Sequence, residues 1–313
     1  MQTILGAGGD ISKLLAKELK NYTSKIRLVS RNPQQVNGDD ELFPANLLNA
    51  ADIRRAVKGS AVVYLTAGLT YNVSIWQKQW PVIMENVLNA CSEEQCKLVF
   101  FDNVYLYDKN AISNMREDSP INPPSKKGKV RAQLIQMIEA AKANKGLKVI
   151  IARCADFYGP GARNGILNVL VTDNISKGKK ANWQSDAGKI HSLTYAPDAA
   201  KATAILGNTE TAYNQVWHLP TSSEKLTGKQ LIEIAARIAN RKPSYMLLSP
   251  FILSLLGLFS RQLKELVEMQ YQNNQDYFFN SDKFNKTFQF TPTSYETGIR
   301  ETLEYAKAAV NKH

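Results

Sequence analysis

A glycine-rich segment directly after the first apolar stretch limits the folds open to this chain more than any other feature. Residues 3–5 are mostly apolar, the segment GAGGDIS occupies residues 6–12, and residues 11–19 place apolar side chains at helical spacing. Only glycines let a backbone turn approach a phosphate closely, and the amides at the start of the next helix then act as donors. The segment therefore predicts a strand–turn–helix junction that binds a nucleotide.

The first half of the chain alternates apolar stretches with segments of helical spacing. Helices are predicted over residues 51–58 and 81–90, and a weak strand is predicted near Leu42 and Phe43. Continuous apolar stretches are typical of strands buried on both faces of a parallel sheet. They cover residues 26–29, 61–68, 97–107 and 147–161. This order predicts an α/β fold with a doubly wound, mostly parallel Rossmann sheet.

The alternation becomes less regular after residue 154. Helices are predicted over residues 198–206 and 226–239 and from about Ser294, with Thr227 as an N-cap, and a late strand over residues 214–220. We expect a dinucleotide-binding domain and a smaller C-terminal substrate-binding region. The first would cover residues 1–154 and be completed by about 187–220; the second would comprise residues 155–186 and 221–313.

Two places in the sequence bear on the nucleotide. In the first junction the candidate contacts are Gly6, Gly8, Gly9, Asp10 and Ile11. At the end of the second strand, a carboxylate would hold the adenosine ribose of NAD, whereas an arginine suits the 2′-phosphate of NADP.

The second strand ends on Ser30 and Arg31, without a carboxylate. A guanidinium can grip a phosphate through two hydrogen bonds, and a serine can donate a third. The sequence therefore predicts NADP as the cofactor. NAD, with Arg31 as an ordinary surface residue, remains the alternative.

The charge balance is basic, with 39 Lys and Arg against 28 Asp and Glu and a formal net charge of +11. An excess of this size can serve nucleic acid, an anionic membrane or a phosphorylated ligand. The cations are scattered, however, with no block of five, and no recognition-helix motif or aromatic–basic stripe accompanies them. We therefore expect solvated surface cations and no nucleic-acid partner.

Several further classes are not expected. The cysteines at positions 91, 96 and 154 lack CxxC spacing and the histidines lack ligand spacing, so neither a disulfide framework nor a metal site is predicted. The first residues do not read as a signal peptide, which favours the cytoplasm. The apolar run over residues 245–259 contains Pro250 and is too short to span a membrane. It is either a pocket wall or a packed helix.

Several segments together resemble the extended short-chain dehydrogenase/reductase family, in its nucleotide-sugar epimerase/dehydratase group. Besides GAGGDIS, the resembling segments are ENVLNA, RCADFYGPG, HSLTYAPDAAKA and DKFNKTFQFTPTSYETGIRET. Asn46 and Leu47 occupy the place of an Asp-Leu pair beside the adenine, and Thr66, Ala67 and Gly68 match the turn under the cofactor. The resemblance implies that these five residues also bind the dinucleotide.

The catalytic residues implied by the resemblance are altered in this chain. The family uses a Ser or Thr and a Tyr-x-x-x-Lys motif, whose tyrosine exchanges the proton while the nicotinamide exchanges hydride. Alignment places Asn103, Lys127 and Arg131 at the serine, tyrosine and lysine. Neighbouring cations favour a neutral amine, so Lys127 is the candidate acid/base, with Arg131 on the ribose and Asn103 polarising a carbonyl. The alternative is a helix start with a solvated basic first turn.

Tyr71, Tyr105, Tyr158 and His191 are candidate substrate-binding residues, although aromatic residues in such runs also form cores. We interpret the chain as an NADP-dependent epimerase/dehydratase-like oxidoreductase acting on an unidentified small molecule. The alternative function is a catalytically inactive NADP(H)-binding sensor or regulatory protein. The resemblance also implies a homodimer, formed through helices near residues 81–90 and 130–143.

Overall fold

The computed structural model describes residues 1–249, 265 and 267–310 of the chain. It divides into two compact units. The first unit comprises Met1–Leu106, Lys126–Arg153 and Ala199–Trp217. The second unit comprises Tyr107–Ser125, Cys154–Asp198 and His218–His313.

Strands make up the centre of the first unit. In chain order the described strands are β1 (Gln2–Leu5), β2 (Ile26–Ser30), β3 (Glu41–Pro44), β4 (Val62–Leu65), β5 (Lys97–Asn103), β6 (Val149–Cys154), β7 (Asp156–Tyr158), β8 (Ala181–Gln184), β9 (Leu193–Tyr195), β10 (Val216–His218) and β11 (Tyr245–Leu248). Seven of them form one sheet in the order β10-β6-β5-β4-β1-β2-β3. The pairs β3/β2, β2/β1, β1/β4 and β4/β5 are parallel. The predicted doubly wound sheet is confirmed.

Helices connect these strands. In chain order they are α1 (Asp10–Leu19), α2 (Ala50–Val57), α3 (Val73–Glu93), α4 (Lys126–Lys145), α5 (Asp173–Ser176), α6 (Ala196–Gly207), α7 (Gly228–Ile238), α8 (Asp282–Thr287) and α9 (Tyr295–Val310). A π-helical stretch, Asn168–Thr172, leads into α5. In the described part of the chain no helix is long and apolar enough to cross a membrane.

Helix α3 begins earlier than the sequence predicts. We expected a start at Pro81, because proline favours the first turn of a helix. The helix instead begins at Val73, where the side chain of Asn72 accepts a hydrogen bond from the Ile75 amide, and Pro81 lies in its interior. The missed first turns contain Trp76 and Trp80, which are both buried. Their burial outweighs the hydrogen bond that an internal proline removes.

The core of the first unit lies between the sheet and helices α3 and α4. Trp80 and Met84 of α3 and Leu134 and Ile138 of α4 are buried together with Phe100 of β5. Such burial contributes about 25 cal/mol per Å² of apolar surface. Helix α4 also buries two cationic side chains, Lys127 and Arg131, among these apolar ones. Both belong to the candidate site.

The second unit contains two short parallel strand pairs, β7/β9 and β8/β11. Its core packs Tyr158, Trp183 and Tyr295 against helix α7. As predicted, Thr227 caps α7, and it does so in a reciprocal capping box with Gln230. The first residues of the apolar run over 245–259 form strand β11 and not a helix, whereas residues 250–259 of that run lie outside the described part.

Replacing Gly228 by alanine should destabilise the second unit. A Cβ at this position would lie 2.2 Å from Cε2 of the buried Trp183, so the indole has to move. Overpacking of this kind costs about 1–3 kcal/mol of unfolding free energy, measurable by urea denaturation. The matched control is Gly38→Ala in an exposed loop, where nothing lies within 4 Å of the added atom. Equal stability of the two variants would contradict the packing argument.

Candidate functional site

The turn after β1 is fixed by its contact with the turn after β4. Gly6 has a φ of +93°, and a Cβ there would lie 2.4 Å from the Cα of Ala67. The amides of Gly6 and Ala7 donate to the Val29 carbonyl of β2 at 2.9 and 3.0 Å. Both the positive φ and the close approach therefore require glycine at position 6.

The other two glycines of the turn border open space. A Cβ added to Gly8 would meet nothing within 4 Å, and one added to Gly9 would meet only Ser12 Oγ at 3.9 Å. Ser12 Oγ itself donates to the Gly9 carbonyl at 2.7 Å, inside the turn. Gly8 and Gly9 thus leave room for a ligand against the backbone.

Helix α1 starts at this space. Its first intrahelical hydrogen bond is donated by the Lys13 amide to the Gly9 carbonyl, at 3.3 Å. In general the first amides of a helix have no acceptor within the helix, and the helix dipole adds partial positive charge at that end. The turn and the helix start could together hold an anionic group, here called the cradle, and the predicted contacts Asp10 and Ile11 lie in the first turn of α1.

The segment after β2 leaves Arg31 exposed at the carboxyl end of the strand. The nearest following carboxylates are engaged elsewhere: Asp39 pairs with Lys20 at 2.7 Å, and the buried Asp40 accepts hydrogen bonds from residues 36 and 37. The Ser30 carbonyl accepts from the Ala45 amide at 2.9 Å. Arg31 is therefore an exposed charged side chain at the end of β2, the strand that pairs with β1 next to the glycine turn.

The turns after β3 and β4 are held by their own hydrogen bonds. Asn46 Oδ1 accepts from the Leu48 amide at 3.1 Å, and Asn86 of α3 donates to the Leu47 carbonyl at 3.1 Å. The Thr66 amide and hydroxyl both donate to the Leu5 carbonyl, at 3.0 and 3.3 Å. These predicted residues thus follow strands β3 and β4 at the same edge of the sheet as the glycine turn.

Arg131 lies in an aromatic cage. Its guanidinium carbon is 4.3 Å from the ring centroid of Trp80, 4.9 Å from that of Trp76 and 5.7 Å from that of Phe100. Its Nη1 is also 3.6 Å from Oδ1 of the fully buried Asp102. A planar, weakly hydrated guanidinium suits such surroundings better than an ammonium does. Arg131 is only 6% exposed, so its predicted contact with a cofactor ribose is not favoured by this position.

Asp102 joins the cage to the sheet. Arg153 of β6 reaches the same carboxylate, with its Nε 3.2 Å from Oδ2. All three side chains are at least 90% buried. Two cations and one carboxylate therefore hold α4, β5 and β6 together, and breaking a pair of this kind leaves a buried charge without compensation.

Lys127 is fully buried, with an exposure of 0%. Its Nζ lies 4.4 Å from the ring centroid of Tyr71, which is partly exposed. Tyr71 packs edge-on against Trp76, with centroids 5.8 Å apart, and Tyr105 stacks on the same indole at 6.2 Å. The predicted residues Lys127, Tyr71 and Tyr105 are thus brought together around Trp76. Trp76 itself was missed, because it lies ahead of the predicted helix over residues 81–90 and carries no motif of its own.

Asn103, at the end of β5, accepts a hydrogen bond from the Tyr105 amide through Oδ1 at 3.1 Å. Because the oxygen is engaged in this turn, the group that Asn103 can offer to a ligand is its amide nitrogen, a donor. Polarisation of a substrate carbonyl, the role expected of Asn103, needs such a donor.

The other two predicted substrate residues lie in the second unit. Tyr158 is 1% exposed and packs against Tyr195 and Tyr295, and burial raises the pKa of its phenol well above the ordinary value. His191 is 3% exposed, stacks on Tyr277 at 4.4 Å and lies 2.9 Å from the Asp156 carboxylate. Both side chains belong to the packed interior of that unit, so we leave them out of the proposed site.

No group of histidine, cysteine and carboxylate side chains in the described residues could hold a metal ion. The cysteines at positions 91, 96 and 154 are buried and form no disulfide. What this part of the chain offers is an anion cradle on the glycine turn and an aromatic, cationic cluster around Trp76 in the same unit.

The chain is similar to proteins that act on nucleotide sugars. It is 21% identical to the UDP-N-acetyl-alpha-D-glucosaminuronate decarboxylase of Bacillus cytotoxicus, with 98% of each chain covered. It is 24% identical over 201 residues to a trifunctional dehydratase, epimerase and reductase of UDP-sugars from Arabidopsis thaliana, of whose length it spans only 27%.

Solved structures share the fold. The UDP-glucuronic acid 4-epimerase of Bacillus cereus, in complex with UDP-glucuronic acid and NAD, matches with a TM-score of 0.80 at 17% identity, covering 99% of this chain and 100% of the other. The dTDP-glucose 4,6-dehydratase of Streptomyces venezuelae, with NAD bound, matches with a TM-score of 0.81 at 14% identity, covering 100% and 98%.

A family model covers most of the chain. The model of the NAD dependent epimerase/dehydratase family matches residues 3–216. This span includes the glycine turn, the cationic cluster and all seven strands of the central sheet except Gln2 of β1 and the last two residues of β10. With this match, the chain belongs to the NAD-dependent epimerase/dehydratase family.

Proposed function

We propose that this protein is an NADP(H)-binding, epimerase/dehydratase-like oxidoreductase whose proton-exchanging group is not the usual tyrosine. The observation that carries the proposal is the cradle at Gly8 and Gly9, where open space meets the helix amides of residues 9–12. A dinucleotide pyrophosphate has the charge and the size that such a cradle accepts.

The residues present fit this cofactor. Gly6, Gly8 and Gly9 with the start of α1 would hold the pyrophosphate, and the exposed Arg31 would hold a 2′-phosphate. Asn46 and Leu47 would lie beside the adenine, and Thr66, Ala67 and Gly68 would line the turn under the cofactor. When bound, NADP supplies a hydride acceptor or, reduced, a hydride donor.

The substrate proposed is a small hydroxylated molecule such as a sugar nucleotide. The named relatives act on UDP-sugars, and the family contains dehydratases, epimerases and decarboxylases of such compounds. A cytoplasmic setting and a homodimer, both expected from the sequence, belong to the same proposal.

A second function is favoured by one specific observation. Arg131 is held in the aromatic cage and Lys127 is buried, so neither of the two substituted residues is presented to a ligand. A protein with this arrangement could bind NADP(H) without turning it over and report its redox state to a partner. A measurement of cofactor turnover distinguishes this sensor from the enzyme, whereas both should bind the dinucleotide.

Arg31→Asp should reverse the cofactor preference. It replaces a donor to phosphate by a carboxylate suited to a ribose hydroxyl, and a charged hydrogen bond contributes about 1.5–3 kcal/mol. We expect the Kd for NADP to rise at least about tenfold while that for NAD stays equal or falls, measured by isothermal titration.

The control for this experiment is Lys58→Asp. It makes the same change of charge on an exposed side chain at the amino edge of the sheet, next to the loop that leads into β4. If the ratio of the NADP affinity to the NAD affinity is the same in Arg31→Asp as in Lys58→Asp, Arg31 does not contact the 2′-phosphate.

Gly8→Val should abolish binding while sparing the fold. The added Cβ enters the open space above the turn and has no atom within 4 Å, so the free energy of unfolding should change by less than about 0.5 kcal/mol. The Kd values for NADP and NAD should both rise at least about tenfold, because the side chain takes the place of the phosphates.

Gly6→Ala is the contrasting variant. Its Cβ would overlap with the Ala67 backbone, so it should lower stability and not only affinity. Undiminished dinucleotide binding by a folded Gly8→Val protein would place the cofactor elsewhere and refute the cradle.

Arg131→Met tests whether this side chain is structural. Loss of the caged guanidinium removes its contacts with the aromatic rings and one of the two cations on Asp102, which keeps Arg153, and should lower the unfolding free energy by about 2 kcal/mol, measured in urea. Arg300→Met, which removes an exposed ion pair with Glu296, should cost less than about 1 kcal/mol. Unchanged stability together with lost NADP affinity would instead make Arg131 a cofactor ligand.

A further inference from the structure

The lysine at the family's tyrosine position is covered by another tyrosine. Lys127 is fully buried, and the ring of Tyr71 lies against its ammonium group at 4.4 Å. A group that exchanges a proton with a substrate has to come within hydrogen-bond reach of it. Tyr71 is partly exposed, so of these two side chains it is the one that a ligand can reach.

The loop that carries Tyr71 is held in place on both sides. The indole Nε1 of Trp76 donates to the Thr70 carbonyl at 3.0 Å, and the Asn72 side chain caps α3 through the Ile75 amide at 3.1 Å. The Trp76 ring also packs edge-on against Tyr71. The phenol ring therefore has a defined position, as a catalytic group requires.

This position is at the edge of the sheet where the cradle lies. Tyr71 follows β4, which pairs in parallel with β1, and the last paired residues, Leu5 and Leu65, are directly opposite each other. The glycine turn and the Tyr71 loop therefore leave the sheet side by side. Asn103 ends the next strand, β5, on the other side of β4.

The ammonium of Lys127 favours the ionised phenol. A cation against a tyrosine ring is attracted to its π electrons, and it stabilises a negative charge on the ring oxygen more strongly still. Two further charges belong to the cluster: Arg131, whose guanidinium lies over the Trp76 ring, and Asp102, which lies next to that guanidinium. Lys127 is thus placed to lower the cost of removing the Tyr71 proton.

We infer that Tyr71 is the proton-exchanging residue of this site and that Lys127 is a positioning residue beneath its ring. The inference rests on the proposed function. In the oxidative direction the Tyr71 phenolate would take the proton of a substrate hydroxyl, and NADP⁺ bound in the cradle would supply the acceptor for the hydride on the same carbon. The substrate would become a carbonyl compound, and the neutral Tyr71 phenol would return its proton to solvent or, in the reverse direction, to the reduced substrate.

The first test is a spectrophotometric titration of the tyrosines in the apo protein. We expect one of the 13 tyrosines to ionise at least about one pH unit below the usual value of about 10. That early step should vanish in Tyr71→Phe, which keeps the ring against Lys127, and should move upward by about one unit in Lys127→Met.

Tyr105→Phe is the matched control, because Tyr105 is also partly exposed and stacks on the same Trp76 ring. The early step should remain in that variant. Its absence from the wild-type protein, or its survival in Tyr71→Phe, overturns the inference.

The second test measures binding and turnover separately. Tyr71→Phe should bind NADP⁺ with a Kd within about twofold of the wild-type value by titration calorimetry. With NADP⁺ and UDP-glucose, UDP-glucuronic acid or UDP-N-acetylglucosamine as probes, kcat should fall at least about 100-fold in Tyr71→Phe. It should stay within about twofold in Tyr22→Phe, which changes an exposed tyrosine between α1 and β2.

The outcomes distinguish the two levels of the proposal. Failure of the wild-type protein to bind NADP⁺ refutes the proposed function, whatever the titration shows. Binding without turnover of any probe in the wild-type protein favours the sensor and overturns the catalytic role of Tyr71. Turnover that persists in Tyr71→Phe retains the enzyme and rejects this residue.

Discussion

The parallel pairing of β1 with β4 is the constraint on which the rest of the site depends. It brings the turn after each strand to the same edge of the sheet, at a separation that only a glycine at position 6 allows beside Ala67. The space over Gly8 and Gly9, the exposed Arg31 and the loop of Tyr71 all follow from that edge. Ligands of open parallel sheets bind in the same place for the same reason, since the loops there diverge and helix amino termini converge.

The fold could be predicted from the sequence because its signals are local. A continuous apolar stretch in a parallel sheet needs no alternation, and helices between such stretches leave few alternative topologies. The start of α3 was predicted wrongly, since the burial of Trp76 and Trp80 lies outside what helix-start rules describe. The second unit gave weaker signals because its strands are only three or four residues long.

The candidate site was predictable in part. The spacing of the glycines is enough to predict the turn that they form. The surroundings of Lys127 and Arg131, by contrast, depend on residues about 50 positions earlier in the chain. Spacing along α4 places both cations on one face, but it does not say that this face is covered by aromatic rings. Aligning single residues with the family's motif therefore could not predict the aromatic cage or the contact of Tyr71 with Lys127.

The carboxylate of Asp102 is shared by guanidinium groups from α4 and β6. A lysine at position 131, as in the family's motif, would set a strongly hydrated ammonium among three aromatic rings, while Arg153 would still pair with the same carboxylate. Installing that lysine would therefore require changes in the surrounding rings as well. An engineer who wants to rebuild the family's motif in this chain has to redesign the interior around it and not one position alone.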